Sequence, residues 1–316
     1  MTITVIGHIC KDVIHSDGKS EDTEERFGGI YYTIAALANL MSERDTLQPV
    51  FGVGNGDYEK LISNLKQYKN VDTSGIFKFK GLTNTVHLIY QSDKQTRTEC
   101  SRDIAASIPF QRIKSFLSCD GILINMVSGF DITLETLDAI RIETRDDRIP
   151  IHFDFHALTL GIDQNHNRFR RPLTDWRRWC FMLHSIQMSE EEAAGITSER
   201  FDEVTFTNQL MPLMVNTLLI TRGERGVSVI VQDIHKKLSR RDIPGIPTNG
   251  SFVDPTGCGD VFGAAYLFAY LKTKDSFVAA EFANAVASLN TTIGTAEKFD
   301  SLRDKIRTLK HDMKVE

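Results

Sequence analysis

The sequence predicts an α/β fold in which a mostly parallel central sheet lies between layers of helices and carries a small β-sheet. Short runs of β-branched and apolar residues alternate with helical stretches of about 10–15 residues, as in parallel sheets covered on both faces. Residues 11–27 and 76–102 break this alternation. Both are polar and strand-like, and the second contains a Ser-Asp-Lys-Gln turn typical of a β-hairpin. These two segments are therefore predicted to form the small sheet.

The individual elements follow from local patterns along the chain. The run Ile-Thr-Val-Ile at 3–6 is a buried strand that ends at Gly7, and apolar positions every three or four residues across 30–43 form one helical face. The predicted strands are 3–6, 49–53, 121–125, 149–154, 182–187, 217–221 and 227–231. The predicted helices are 30–43, 58–68, 132–146, 172–181, 189–195, 201–215 and three blocks after 257.

Length and composition indicate one large domain. The chain has 316 residues, 41% of them hydrophobic, and no Pro/Gly/Ser-rich linker divides it. We therefore expect a single domain over 1–316, with the small sheet inserted from about 11–27 and 76–102.

Charge and cysteine usage exclude several classes of protein. A net charge of −5 argues against a general affinity for nucleic acid or anionic membrane. No apolar run approaches the ~20 residues of a membrane span, and the N-terminus lacks the basic region of a signal peptide. Five scattered cysteines make no metal or disulfide pattern, which favours a cytoplasmic location.

The most informative motif is Asp254-Pro-Thr-Gly-Cys-Gly-Asp260, followed directly by an apolar helical stretch. Gly257 and Gly259 allow a tight turn and a close approach of the backbone to a ligand. A helix N-terminus offers unpaired N–H groups and the positive end of the helix dipole, which together favour an anion. Two aspartates around a Gly-x-Gly turn exceed what helix capping requires.

This motif resembles the C-terminal signature of the ribokinase-like (PfkB) carbohydrate kinases, Asp-x-Thr-Gly-Ala-Gly-Asp, with Cys258 in place of alanine. Other segments match the family in the expected order. They are Asp12 after the first strand, the pair Gly28-Gly29, the segment 52–57, Glu192, which aligns with the glutamate of the family's Asn-x-x-Glu motif, and the Thr-x-Gly-x-x-Gly segment at 221–226. The resemblance spans residues 1 to about 296 and implies a three-layer ribokinase-like domain whose small sheet is a lid.

The resemblance implies ATP-dependent phosphorylation of a hydroxyl group. Asp260 would be the general base, and the N–H groups of Gly257, Cys258 and Gly259 would form the anion hole. Glu192 would help to hold Mg²⁺. The acceptor side would include Asp12, Gly28, Gly29 and Thr33. The ATP side would include Thr221, Gly223, Gly226, Asp254 and Asn284. In the family such lids often pair between subunits, so a homodimer through the lid is consistent with the resemblance.

Three departures from the family bear on substrate and mechanism. Thr33 stands where many sugar kinases have asparagine, and Tyr31 and Tyr32 precede it. These residues suit either a nucleoside or another bulkier acceptor, or simple packing of a helix face. Ser189 replaces the asparagine of Asn-x-x-Glu. Cys258 lies at a helix N-terminus, where the pKa of a thiol can be depressed, so modification of a reactive thiol and a merely small residue are both open interpretations.

Other patterns carry less weight. His152, Asp154 and His156 occupy alternate positions, so on a strand they would share one face. This pattern is open to three interpretations: a metal site, a substrate or nucleotide-side contact, or a structural role at the end of a strand. A basic run at 168–171 and the Trp-Arg-Arg-Trp run at 176–179 fit a solvated surface with inward tryptophans better than nucleic-acid binding. The sequence thus predicts a kinase of a sugar or related small alcohol. A nucleoside kinase of the same family, or a non-catalytic regulator that kept the fold, are the alternatives.

Overall fold

The computed structural model describes residues 1–15, 24–90, 97–198, 200–247, 253–293 and 295–315. Within these ranges the strands are β1 (Thr2–Ile6), β2 (Ile9–His15), β3 (Glu24–Gly29), β4 (Thr46–Gly54), β5 (Ile76–Phe79), β6 (Asn84–Tyr90), β7 (Arg97–Arg102), β8 (Gly121–Asn125), β9 (Ile151–Asp154), β10 (Leu160–Ile162), β11 (Arg168–Arg170), β12 (Ser185–Ser189), β13 (Thr217–Thr221), β14 (Val227–Gln232) and β15 (Leu238–Ile243). The α-helices are α1 (Ile30–Leu40), α2 (Tyr58–Leu65), α3 (Phe110–Ile113), α4 (Leu134–Thr144), α5 (Trp176–Cys180), α6 (Glu190–Gly195), α7 (Glu203–Leu210), α8 (Cys258–Thr273), α9 (Ser276–Asn290) and α10 (Arg303–Asp312).

The central sheet has nine strands in the order β15-β14-β13-β12-β9-β8-β1-β4-β5. The neighbours from β13 to β5 all pair in parallel, whereas β14 and β15 form an antiparallel edge. The mostly parallel sheet predicted from the alternating pattern is therefore confirmed. Because the parallel strands run in one direction, their carboxyl ends meet at one edge, where α/β proteins bind ligands.

A second sheet has four strands in the order β3-β2-β6-β7. It accounts for both polar segments that interrupt the alternation, although residues 16–23 and 91–96, including the Ser-Asp-Lys-Gln turn, lie outside the described residues. One part of the expected lid belongs elsewhere: β5, at the start of 76–102, pairs with β4 and extends the central sheet. The small sheet takes up the second segment only from β6 onward.

Helices cover both faces of the central sheet, as β9 demonstrates. His152 faces α8, since a Cβ placed on Gly263 would lie 3.0 Å from its Nε2 atom. Phe153 points the opposite way and packs on Trp179 of α5, with ring centroids 6.0 Å apart. On the first face, α8 packs against both α1 and α9. Within the described ranges, no helix is long and apolar enough to cross a bilayer.

The structure differs from the predicted elements in a few places. Helices α5 and α7 are shorter than expected, and β12 begins at Ser185 rather than at residue 182. Strand β15 was not predicted, because five of its six residues are exposed and polar or charged residues dominate it. The hairpin of β10 and β11 was also not predicted, since three-residue strands give too short an alternation to detect.

Candidate active site

Four polar residues end parallel strands at the carboxyl edge of the central sheet. Asn125 is the last residue of β8, Asp154 of β9, Ser189 of β12 and Thr221 of β13. The N-terminus of α8 approaches the same edge, because Nε2 of Gln187 in β12 donates to the carbonyl oxygen of Gly259 at 2.9 Å. The edge thus collects strand ends and one helix N-terminus in a single region.

The turn before α8 is held by Asp254. Its Oδ1 atom accepts hydrogen bonds from the backbone N–H of Thr256 at 2.9 Å and from the hydroxyl of Thr256 at 2.7 Å. The chain then reaches Gly257, whose φ of +77° lies in the left-handed region that favours glycine. Asp254, predicted on the ATP side, therefore shapes the turn that precedes the helix.

The backbone N–H groups of this turn are not equivalent. The N–H of Cys258 donates to the carbonyl oxygen of Pro255 at 3.1 Å. The N–H groups of Gly257 and Gly259 have no protein acceptor among the described residues. Of the three predicted anion-hole donors, Cys258 is thus engaged within the turn, whereas the N–H groups of Gly257 and Gly259 have no acceptor in the described part of the chain.

The environment of Cys258 argues against the depressed pKa that its place at a helix N-terminus suggested. Burial raises the pKa of this thiol to about 11, although it lies at a helix N-terminus. The sulfur donates to the carbonyl oxygen of Ala287 at 3.6 Å and accepts from Nδ2 of Asn290 at 3.4 Å. Desolvation by α9 outweighs the helix dipole here, because the side chain points back into the protein rather than along the helix axis.

Asp260 lies in the first turn of α8. Its Oδ1 atom accepts a hydrogen bond from Nδ2 of Asn125. The same amide nitrogen lies 3.3 Å from Oγ1 of Thr33 in α1. Asn125 therefore connects the predicted base with the helix that follows the Gly28-Gly29 pair.

The predicted acceptor side includes Asp12. This carboxylate is 6% exposed and accepts a hydrogen bond from Sγ of Cys10 at 3.2 Å. Gly28 must lack a side chain, because a Cβ there would lie 2.0 Å from Oδ2 of Asp12. Gly29 has a φ of +61° and is the N-cap residue of α1, so the two glycines let β3 turn into the helix beside Asp12.

The residues after the glycine pair are more buried than the sequence suggested. Thr33 and Tyr31 are both 0% exposed, so Thr33 reaches the site only through Asn125, and Tyr31 belongs to the core. Tyr32 is 4% exposed and lies against the turn at Gly257. Burial, followed by the charges of nearby aspartates, raises the pKa of Tyr32.

Glu192 also has a structural role, which was not predicted. Its Oε2 atom accepts from the backbone N–H of Ser189 at 2.7 Å, while the Ser189 hydroxyl accepts from the N–H of Glu192 at 3.1 Å. This reciprocal pair is a capping box at the start of α6. The other oxygen, Oε1, lies 3.9 Å from both Nδ1 of His156 and Nη1 of Arg170.

A buried polar network lies beneath the turn of α8. Nδ1 of His152 contacts the hydroxyl of Ser185 at 2.8 Å, Nε2 contacts Oε1 of Gln187 at 3.3 Å, and Nε2 of Gln187 donates to Asp154 at 3.0 Å. Burial lowers the pKa of His152 to about 3 and raises that of Asp154 to about 8. His152 is therefore neutral at pH 7.

His156 does not share the strand face that its spacing predicted. The strand ends at Asp154, and His156 follows with a φ of +25°. Burial would lower the pKa of His156, but the charges of Glu192 and Asp260 raise it overall. Among the described residues no three His, Cys, Asp or Glu side chains are arranged to hold a metal ion.

The predicted ATP side lies around the end of β13. Gly223 has a φ of +55°, and no atom of the described residues lies within 4 Å of a Cβ placed on it. Gly226 has a φ of +91°, and a Cβ there would lie 2.0 Å from the carbonyl oxygen of Ile243. Asn284 of α9 donates to the carbonyl oxygen of Pro244 at 2.9 Å. Thr221 immediately precedes the loop that contains these two glycines. Asn284 is connected to the loop indirectly, because it bonds to Pro244, which lies next to Gly226.

The basic and aromatic run outside the site packs as a surface. Trp176 and Trp179 are buried, whereas Arg177 and Arg178 lie outside and bond to Gln209 and Asp138. This arrangement agrees with the interpretation of a solvated face with inward tryptophans.

Sequence reasoning missed Asn125, Gln187 and Asn290 as parts of the site. Asn290 binds the turn from α9, since its Nδ2 donates to the carbonyl oxygen of Thr256 at 3.1 Å. Asn125 carried a usable signal, because it is a polar residue at the carboxyl end of the buried run Gly-Ile-Leu-Ile-Asn. Gln187 and Asn290 carried none, since their partners come from segments far away in the chain.

Comparison with known families confirms the resemblance found in the sequence. Residues 171–298 match the model of the pfkB family carbohydrate kinases. This range contains the α8 turn, Glu192 and the segment at 221–226. No curated protein sequence matches the chain significantly.

Solved structures share the ribokinase-like fold along nearly the whole chain. Ribokinase from Thermotoga maritima has a TM-score of 0.74 at 19% identity, covering 98% of this chain and 99% of its own. Arabidopsis thaliana ribokinase complexed with ribose and ATP has 0.74 at 18%, covering 97% of each chain. A pyrophosphate-dependent kinase of the ribokinase family, complexed with a pyrophosphate analogue and myo-inositol, has 0.74 at 19%, covering 95% and 98%. The chain therefore has the ribokinase-like α/β fold.

Proposed function

We propose that this chain, with its ribokinase-like fold and its match to the pfkB family carbohydrate kinases, transfers a phosphoryl group from ATP to a hydroxyl of a sugar or related small alcohol. The observation that carries the proposal is the position of Asp260. It lies one residue after Gly257–Gly259, at the N-terminus of α8, and contacts Asn125. A base and an anion-binding turn thus lie side by side.

In the proposed reaction Asp260 takes the proton of the acceptor hydroxyl as that oxygen attacks the γ-phosphorus of ATP. The new O–P bond forms while the bond between the γ-phosphorus and the β,γ-bridging oxygen breaks, and ADP leaves. The N–H groups of Gly257 and Gly259 donate to the oxygens on which negative charge accumulates. Asp12 holds a second hydroxyl of the acceptor and fixes its orientation.

The residues present fit a Mg²⁺ ion that arrives bound to the donor phosphates and keeps most of its water. Mg²⁺ is usually held by one or two carboxylates together with substrate phosphates. Glu192 can supply one oxygen, Oε1, because Oε2 is engaged in the capping box. Arg170 and His156 lie beside that oxygen, so the described residues do not form a preformed cage for the cation. When bound, the ion would neutralise charge on the phosphates.

The four-stranded sheet and its position favour a lid over the acceptor. Asp12 belongs to β2, and Gly28 and Gly29 to β3, so two strands of this sheet carry acceptor-side residues. A movement of the sheet would therefore cover the acceptor and exclude water from the reaction. Outer edges of such a sheet can pair between two copies of the chain, which is the route we propose for a homodimer.

A sugar or small alcohol is favoured over a nucleoside as acceptor. The aromatic pair that suggested a nucleoside is not available for stacking, since Tyr31 is fully buried and Tyr32 lies against Gly257.

The experiment is a phosphoryl-transfer assay with Mg²⁺, purified wild-type chain and the Asp260→Asn variant. The acceptors are pentoses, hexoses, sugar phosphates, inositols and nucleosides, and the donors are ATP, GTP and pyrophosphate. We expect one acceptor class to give turnover with ATP that falls by at least about a thousandfold in Asp260→Asn, as removal of a general base predicts.

The other outcomes decide between the alternatives. Turnover with pyrophosphate but not ATP would replace the proposed donor and keep the base. Tight acceptor binding by wild type and Asp260→Asn alike, with no transfer from any donor, would show a non-catalytic binding protein. Calorimetric titration with each acceptor provides that measurement.

A further inference from the structure

We propose that Asn125 is a positioning residue that orients the carboxylate of Asp260 for proton abstraction. This inference rests on the proposed role of Asp260 as general base. It concerns a residue on β8, on a different element from the base and outside every motif that the sequence resemblance provided.

The contact itself has a defined direction. Nδ2 of Asn125 donates to Oδ1 of Asp260, and an ionised carboxylate has no hydrogen to donate, so the amide NH₂ group must face it. The second hydrogen of the same NH₂ group points to Oγ1 of Thr33 at 3.3 Å. Both hydrogens of the amide are thus directed by neighbours, and the amide plane is fixed relative to α1 and α8.

Burial makes this orientation firm. Asn125 and Thr33 are both 0% exposed, so water cannot compete for the amide. A hydrogen bond to one oxygen of a carboxylate restricts its rotation about the Cβ–Cγ bond. Since β8 is a central strand of the sheet, flanked by β1 and β9, the donor is attached to a rigid element. The orientation of the Asp260 carboxylate is therefore fixed by a donor on the central sheet as well as by its own helix, α8.

The oxygen of the same amide argues against a purely structural role. Oδ1 of Asn125 is buried and has no hydrogen-bond partner within the described residues. An unsatisfied buried acceptor costs stability, so an apolar residue of similar size would suit packing at this position better. The proposed role in orienting Asp260 accounts for an asparagine at a position where it is unfavourable for the stability of the fold.

Replacing Asn125 by leucine changes no charged group around Asp260. A change in the pKa of Asp260 would therefore report the loss of the hydrogen bond from Asn125. The titratable groups that respond to its charge are Cys10, Tyr32, Asp154, His156 and Cys258. None of them is changed in Asn125→Leu. Removing a hydrogen bond to the charged form must raise the pKa of the carboxyl group.

The test compares wild type, Asn125→Leu and a matched control, Asn70→Leu. Asn70 is also buried, but its amide donates to the backbone carbonyl of Ala38 at 2.9 Å, and none of its hydrogen bonds among the described residues involves a residue of the candidate site. We expect Asn125→Leu to retain a melting temperature within about 2 °C of wild type or above it. Its kcat should fall roughly tenfold to a hundredfold, with the acceptor KM changed by less than about threefold. The acidic limb of its pH–rate profile should move upward by about one unit.

A readout without substrate accompanies the kinetics. Titration of ¹³Cγ-labelled aspartate by NMR, with the Asp260 signal assigned from Asp260→Asn, should show a higher pKa in Asn125→Leu. Asn125→Asp, which is nearly isosteric, should raise it further because two carboxyl groups would then be adjacent. The Asn125→Asp variant also provides this measurement if Asn125→Leu does not fold.

The results separate the two levels of inference. Absence of phosphoryl transfer by wild type would overturn the proposed function, whereas the NMR titration would still decide whether Asn125 governs the carboxyl group. Wild-type turnover together with an unchanged kcat, pH profile and NMR titration in Asn125→Leu would overturn the role of Asn125. A loss of melting temperature like that of Asn70→Leu, with an unchanged pH profile, would do the same by showing a structural asparagine.

Discussion

The ring of Tyr32 lies directly against the turn at Gly257: a Cβ placed on Gly257 would come within 2.2 Å of Cδ1 of Tyr32. Helix α1 and the turn before α8 are thus in contact, with no room for a side chain between them. The left-handed φ of Gly257 adds a second reason for glycine at this position.

Gly257→Ala should therefore lose activity by at least about a hundredfold and destabilise the chain by about 1–3 kcal/mol, because either the turn or Tyr32 must move. Turnover and urea unfolding measure these two effects. Gly56→Ala is the control, since no atom lies within 4 Å of a Cβ placed there. A Gly257→Ala variant as active as Gly56→Ala would contradict the role of the turn.

Glu192→Gln separates helix capping from metal binding. Glutamine can replace glutamate in a capping box, so α6 should remain intact and the melting temperature should change by no more than about 2 °C. If Glu192 contributes its charge to Mg²⁺, the Mg²⁺ concentration for half-maximal turnover should rise about tenfold. Ser189→Ala is the companion variant, which should cost about 1 kcal/mol of stability and leave the Mg²⁺ dependence unchanged. Equal Mg²⁺ dependence in Glu192→Gln and wild type would remove Glu192 from the metal site.

Cys258 should react slowly with thiol reagents. With a pKa of about 11, its thiolate fraction at pH 7.5 is on the order of a hundredfold lower than that of an ordinary cysteine. Mass spectrometry after timed iodoacetamide treatment measures the rate, with a short cysteine peptide as reference. Labelling of Cys258 as fast as the peptide would show that the thiol is accessible and ionised.

His184 should make the fold sensitive to acid. Burial lowers the pKa of His184 to about 4, so the unfolded chain takes up a proton first as the pH falls. The stability contributed by the neutral ring is complete above about pH 6.5 and is lost as the pH falls toward 4, by up to about 3 kcal/mol.

His184→Phe tests this, because phenylalanine keeps the ring contact with Tyr270, whose centroid lies 4.2 Å away. The variant should show a weaker dependence of unfolding free energy on pH between 6.5 and 4 in urea titrations. The remaining dependence would belong to other groups, including His152. An identical slope in wild type and variant would show that His184 does not titrate in this range.

The predictable part of the fold is the part that local sequence encodes. The strand Gly121–Asn125 matches its prediction because five buried residues end at a polar one, and helices α8 and α9 follow from long apolar stretches. Strand β15 is held by pairing with β14 rather than by its own polar residues, so only the tertiary structure reveals it.

The candidate site divides in the same way. Asp12, the glycine pair and the turn of α8 lie in contiguous motifs and could be predicted. The pKa of Cys258 could not, because it depends on burial against Ala287 and Asn290 of α9. The capping role of Glu192 is encoded locally as Ser-x-x-Glu, whereas the family resemblance implied a role in metal binding for the same residue.

The hairpin of β10 and β11 connects the four-stranded sheet to α6. The N–H of Ser101 in β7 donates to the carbonyl oxygen of His166 at 2.9 Å, and Cys100 bridges to Asn167. A few residues further along, Arg170 pairs with Glu191 at 3.3 Å. Any displacement of the small sheet that preserves these bonds must carry Arg170 with it. For the proposed acceptor and donor sites we therefore expect the occupancy of one to change the affinity of the other, as a coupling free energy between them.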